Sequence, residues 1–185
     1  MVGLYVLIGI AVVLGFWLVA IYNGLVRKRN LVEEGWSGIE VQLKRRSNLI
    51  PNIVETVKGY MGHERGVLEK VTELRGQSLQ GGTPGQRGAV ENALGGALGK
   101  LLAVAEGYPD LKASQNFMGL QESLSEVEEQ IQLARRYYNG AVRDLNISIQ
   151  SFPANLVAGK FGFQEAEFFE LEDQADRAVP EVKFG

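Results

Sequence analysis

The stretch MVGLYVLIGIAVVLGFWLVAIYNGLVRKRN (Met1–Asn30) decides how the rest of the chain is read. From Val2 to Val26 the only ionisable side chains are tyrosines. About 20 such residues in a helix span the roughly 30 Å hydrocarbon core of a bilayer. Trp17 and Tyr22 lie toward one end, where amphipathic rings favour the membrane–water interface. Arg27, Lys28 and Arg29 follow at once. A cleaved signal peptide has the opposite order: basic residues first, then a shorter apolar run and a small-residue cleavage site. The run therefore reads as an uncleaved single-pass anchor over residues 1–26. The positive-inside rule then places the N-terminus outside and the bulk of the chain, residues 27–185, in the cytoplasm. Trp17, Tyr22, Arg27, Lys28 and Arg29 are its expected membrane-interface residues.

Composition narrows what the remainder can be. The chain has 185 residues, 22% of them charged, a net charge of -3, one histidine and no cysteine. That length suits one domain, and the charged fraction is too ordinary for wholesale disorder. Mild acidity argues against a nucleic-acid partner. Without cysteine there are no disulfides, thiolate metal sites or cysteine nucleophiles. One histidine leaves no multi-histidine metal site, so neither a metal nor another cofactor is expected.

Beyond the anchor the apolar residues recur at helical spacing. Trp36, Ile39, Leu43, Arg46, Ile50, Ile53, Val57, Tyr60, Glu64, Val67, Val71 and Leu74 step by three and four along one face, apolar but for Arg46 and Glu64. Phe117, Leu120, Leu124, Val127, Ile131, Ala134, Tyr138, Ala141, Leu145, Ile149 and Phe152 do the same. A shorter stripe runs from Val90 to Ala105. Gly81–Gly85 separates the first helix from the second, Tyr108–Pro109–Asp110 the second from the third, and Ser151–Phe152–Pro153 closes the last. No segment keeps period-two alternation, so no sheet is expected. The reading is all-α: a transmembrane helix, then a long-helix antiparallel three-helix bundle over residues 27–160, then a Phe-rich acidic tail over 161–185.

Pro51 interrupts the first stripe. Inside a helix it loses the bond to the Ser47 carbonyl and costs about 3 kcal/mol. Because the stripe stays in phase from Leu43 to Val57, one kinked helix is favoured over a restart near Asn48. Continued back into the anchor, it would make a rod of about 70 residues and roughly 100 Å, with Asn23–Gly24 the easiest place to bend. Gly88, Gly95, Gly96 and Gly99 in the middle helix mean either close helix approach or a weak outer helix. The tail phenylalanines Phe161, Phe163, Phe168 and Phe169 are expected to pack back onto the bundle or onto a neighbouring subunit, with Leu171–Gly185 patternless.

Chemistry-bearing motifs are scarce. His63–Glu64 is the first place to look, but a zincin needs a second histidine four residues on and position 67 is Val67. No Gly-x-Ser-x-Gly turn and no phosphate-binding loop occurs, and the Gly81–Gly85 segment reads as a linker. More telling are polar residues on or beside the helical seams. Arg46 and Glu64 sit about five turns apart on the first helix, so each, if buried, needs a partner from another helix. Glu128, Arg135, Asn139 and Asn146 form a stripe along the last helix. That stripe is either a solvated face or a network that fixes helix register within or between protomers. Glu128 or Arg135 meeting Arg46 or Glu64 is the specific expectation.

Three blocks of sequence are similar to those of one family. YNGLVRKRNLVEEGWSGIEVQLKRRSNLIPNIVETVKGYMGHE (Tyr22–Glu64), YPDLKASQNF (Tyr108–Phe117) and EEQIQLARRYYNGAVRDLNISIQSFP (Glu128–Pro153) resemble the LemA family of bacterial membrane proteins. Asn48 stands where the family often has aspartate, and Gln77–Arg87 matches no family motif. The resemblance implies an amino-terminal transmembrane helix, a helical cytoplasmic domain and the bacterial inner membrane. Similar proteins are associated with membrane stress and the shaping of internal membranes, and the family has no settled activity. Three functional readings follow. The leading one is a non-enzymatic scaffold on the lipid bilayer that forms a homo-oligomer and organises the membrane or its proteins. The second is an accessory subunit of a membrane protease or transporter, with a membrane-protein partner. The third, an enzyme with a composite site, requires His63, Glu64 and an arginine or tyrosine to converge.

Overall fold

The computed structural model describes residues 1–61 and 64–170. Among these residues there are six helices and no strand: α1 Val2–Lys58, α2 Arg65–Ser78, α3 Pro84–Ala105, α4 Pro109–Lys112, α5 Gln115–Gln150 and α6 Ala154–Phe161. The chain is all-α, and α1 carries the apolar run, whose side chains from Val2 to Ala20 are all exposed.

The first helix runs unbroken through Asn23–Gly24 into the apolar run, as the reading of one rod requires. It differs from expectation in stopping at Lys58 rather than continuing to Leu74, so the rod is 57 residues long. Gly59, costly inside a helix by about 1 kcal/mol, begins a turn in which the amides of Tyr60 and Met61 both donate to the Val57 carbonyl. The in-phase stripe hid this break, and Tyr60, a stripe position, is exposed.

At Pro51, by contrast, α1 does continue. The proline leaves the Ser47 carbonyl without its helical donor, and Arg75 of α2 takes that place, its Nε donating to Ser47 O at 2.8 Å. A tertiary contact thus satisfies the group that the proline orphans.

The chain divides into two compact units, and α1 and α5 each contribute to both. One unit comprises Glu40–Leu133 and the tail from Glu167. Its core joins Ile50, Ile53 and Val57 of α1 with Val71 and Leu74 of α2, Leu94, Leu98 and Leu101 of α3, and Leu111, Phe117 and Leu124 beyond. Burying each such side chain contributes roughly 1.5–3 kcal/mol. The segment Leu79–Thr83 that turns α2 back onto α3 is more than a linker. Gly81 and Gly82 take positive φ of 76° and 134°, conformations that need glycine. Thr83 then caps α3 in a reciprocal box with Gln86, and Pro84 occupies the first helical position. Of the four glycines singled out in α3, Gly88 is a site of close approach. A side chain there would collide with the backbone carbonyl of Glu170, so it is the tail, not a helix, that needs the glycine. Gly96 and Gly99 face open space. Phe169 of the tail is fully buried in the same unit.

The other unit comprises Met1–Ile39 and Ala134–Ala166. Gly35 lets α1 approach α5 closely: a Cβ there would lie 3.1 Å from the Tyr138 Cα. Beside it Trp36 packs on the buried Tyr138, ring centroids 5.4 Å apart. Farther along, Leu25 of α1 packs with Val157 and Ala158 of α6, flanked by Ile21, Ile149 and Phe163. Helix α6 ends at Gly162, whose φ of 71° lets the Phe163 amide reach back to the Ala158 carbonyl.

Candidate functional site

In the unit spanning Glu40–Leu133, Arg46 lies inside the core, only 1% exposed, where an unpaired guanidinium would be costly. Its Nη2 donates to the carboxylate of Glu91, itself 1% exposed. Its Nη1 donates to Glu128 Oε1 of α5 at 2.8 Å. The second oxygen of Glu91 accepts from Ser78 Oγ at 2.6 Å. Four helices (α1, α2, α3 and α5) thus meet on one polar cluster. Arg46 and Glu128 had been singled out from the sequence; Glu91 and Ser78 had not. The missed signal was there to read: Glu91 is the one acidic residue on the α3 stripe that continues through Leu94 and Leu98.

The remaining sequence-selected residues scatter. Glu64 of this same unit accepts the Tyr108 hydroxyl at 2.7 Å. That bond, with lesser contributions from desolvation and from the carboxylate's charge, raises the Tyr108 pKa above its ordinary value of 10.0. His63 lies outside the described residues. In the other unit, Asn146 grips the backbone of Ala166, accepting from its amide at 2.9 Å and donating to its carbonyl at 3.0 Å. Arg135 and Asn139 are half-buried on α5. Among the described residues no group of three or more His, Asp and Glu side chains could hold a metal ion.

The expected membrane-interface residues fall into two sets. Trp17 and Arg27 are exposed. Tyr22 meets the rings of Phe161 and Phe163 edge-on, at 4.9 and 5.7 Å. Arg29 stands 5.5 Å over the Phe163 ring and 3.8 Å from Glu33. The Lys28 ammonium donates to Ser148 Oγ and, at 3.3 Å, to the Asp144 carbonyl. Tyr22, Lys28 and Arg29, which close the apolar run, therefore also contact α5, α6 and the chain after α6.

A helix long and apolar enough to cross a bilayer, followed by helices packed around a polar cluster, defines a membrane-associated all-helical protein. The LemA family model matches residues 35–184, most of the chain, and the chain belongs to the LemA family. Among curated relatives, the magnetosome proteins MamQ 1 and MamQ 2 of Paramagnetospirillum magneticum are each 26% identical, the match covering 85% of this chain and 68% of the relative. Protein LemA of Metamycoplasma hominis is 27% identical, over 82% of this chain and 69% of its own. None of these names is that of an enzyme.

Proposed function

We propose that this protein is a non-enzymatic scaffold: anchored in the bacterial inner membrane by the apolar part of α1, it self-associates and organises the membrane or its proteins. The single observation that carries the non-enzymatic part is the polar cluster. Arg46, Glu91, Glu128 and Ser78 bond to one another across four helices, an arrangement that fixes helix register rather than presenting an acid or base to a substrate. The relatives named as magnetosome proteins support a role tied to an internal membrane. The basic run Arg27–Arg29 supports an outside N-terminus and a cytoplasmic bulk.

The test is the mass of the full-length protein, extracted with its surrounding lipid into polymer nanodiscs and sized by mass photometry. A uniform particle of several copies is expected. A monomer would remove self-association and move the reading to an accessory subunit with a membrane-protein partner. Protease accessibility in sealed vesicles tests the orientation, with cleavage of the bulk of the chain expected only from the cytoplasmic side.

A further inference from the structure

Helix α6 and its flanks carry more exposed apolar surface than a water-facing helix needs. Phe152, just before it, is 80% exposed, Leu156 is 65% exposed and Phe161, its last residue, is 62% exposed. The opposite face of α6 is committed, with Val157 and Ala158 buried against Leu25 and Ile21 of α1. Leu25 and Ile21 belong to the last turns of the apolar run. Helix α6 therefore packs where the spanning segment ends, immediately before Arg27. Between α6 and α1 lies a groove of about 470 Å³, walled by Leu18, Val19 and Tyr22 on one side and by Leu156, Val157 and Phe161 on the other. The one charged side chain in its lining is Lys160.

We infer that α6 is a second membrane contact: it lies in the interface beside the spanning helix, and the groove takes an acyl chain of an anionic phospholipid whose phosphate is met by Lys160. This rests on the anchoring part of the function proposed above. Three observations select lipid as the occupant. One wall of the groove is the spanning segment itself, whose Leu18 and Val19 stay exposed, so the groove continues a lipid-facing surface. The exposed residues follow the pattern of an interfacial helix, large apolar side chains with a lysine that reaches toward the headgroups. Two of the neighbouring cations are already engaged within the protein, Lys28 by Ser148 and Asp144, Arg29 by Phe163 and Glu33. Lys160 makes no ion pair among the described residues, and its charge complements a phosphate.

The absence of cysteine makes the test direct. Leu156→Cys in the full-length protein is labelled with a small fluorophore and reconstituted into vesicles of phosphatidylcholine, alone or mixed with phosphatidylglycerol. Lipids brominated on the acyl chain quench only on contact, and iodide quenches only from water. Quenching by brominated lipid and protection from iodide are expected, with brominated phosphatidylglycerol favoured over phosphatidylcholine. Lys160→Glu should reduce that preference roughly fivefold, the worth of one surface lysine at an anionic membrane. Quenching by iodide alone overturns the inference, as does protection from both quenchers, which would mean that a protein covers this face. An unchanged lipid preference in Lys160→Glu overturns the headgroup assignment. A label at Val12→Cys separates the two levels. If it too escapes brominated lipid, the anchor reading fails; if it alone is quenched, only the α6 contact fails.

Discussion

Replacing Arg46 by methionine tests whether the polar cluster is held together as its geometry implies. The substitution keeps the volume and removes the cation, leaving Glu91, 1% exposed, with only Ser78 as a side-chain partner among the described residues. Breaking a buried pair on one side costs about 3–5 kcal/mol, because the remaining charge has no compensation. For a chain of this size each 1 kcal/mol lowers the melting temperature by about 2–4 °C, so a drop on the order of 10 °C is expected in thermal unfolding followed by circular dichroism. The two acidic partners should differ. The Glu128 side chain is 36% exposed and can turn to water, so Glu128→Gln should cost no more than about 1 kcal/mol, as for a surface pair. Glu91→Gln, in the core, should cost several times that. Arg46→Met combined with Glu91→Leu removes both buried charges and should recover most of the lost stability. The reasoning is refuted if Glu128→Gln proves costlier than Glu91→Gln, or if the double variant is as unstable as the sum of its parts.

Other consequences can be checked separately. Arg75→Ala should cost about 1.5–3 kcal/mol, the worth of a charged donor to a carbonyl; in a Pro51→Ala background, which restores the helical N–H, that cost should shrink in chemical denaturation. Gly99→Ala, facing open space in α3, should stabilise by about 0.5–1 kcal/mol. Gly88→Ala should instead displace the backbone at Glu170 and expose Phe169, read as faster limited proteolysis of the tail. The Tyr108 phenol should ionise at higher pH than an ordinary tyrosine in ultraviolet titration, and Glu64→Gln should bring its midpoint back toward 10.0. Because the folded-state pKa is the raised one, this bond's contribution is complete below the unfolded value and is lost as pH rises through the folded one.

What the sequence disclosed is what local periodicity and composition encode. The uncharged run to Val26, the stripes of α3 and α5, and the passage of α1 through Pro51 all follow from side-chain spacing along one helix. The end of α1 did not, because Val57, Tyr60 and Val67 keep helical phase across a turn that Gly59 begins. Thr83–Gln86 spells a capping box, yet the surrounding glycines made it read as a linker. Arg46 and Glu128 could be picked out as polar residues on seams, but which carboxylate meets which cation depends on how four helices converge. Gly88 shows the same limit: it is required by Glu170, 82 positions away in the chain, and no local pattern could announce that contact.

Arg75 follows Ser47 by 28 residues, so the repair of the Pro51 defect arrives late in the order of synthesis. As the chain leaves the ribosome, the segment around Pro51 emerges with one carbonyl open to water and has only its own propensity to hold it. It becomes a continuous helix at full strength once α2 has been made and has docked. Helix α1 beyond the membrane is therefore completed by its neighbour, and a nascent chain that ends before Arg75 keeps a weak joint at Pro51.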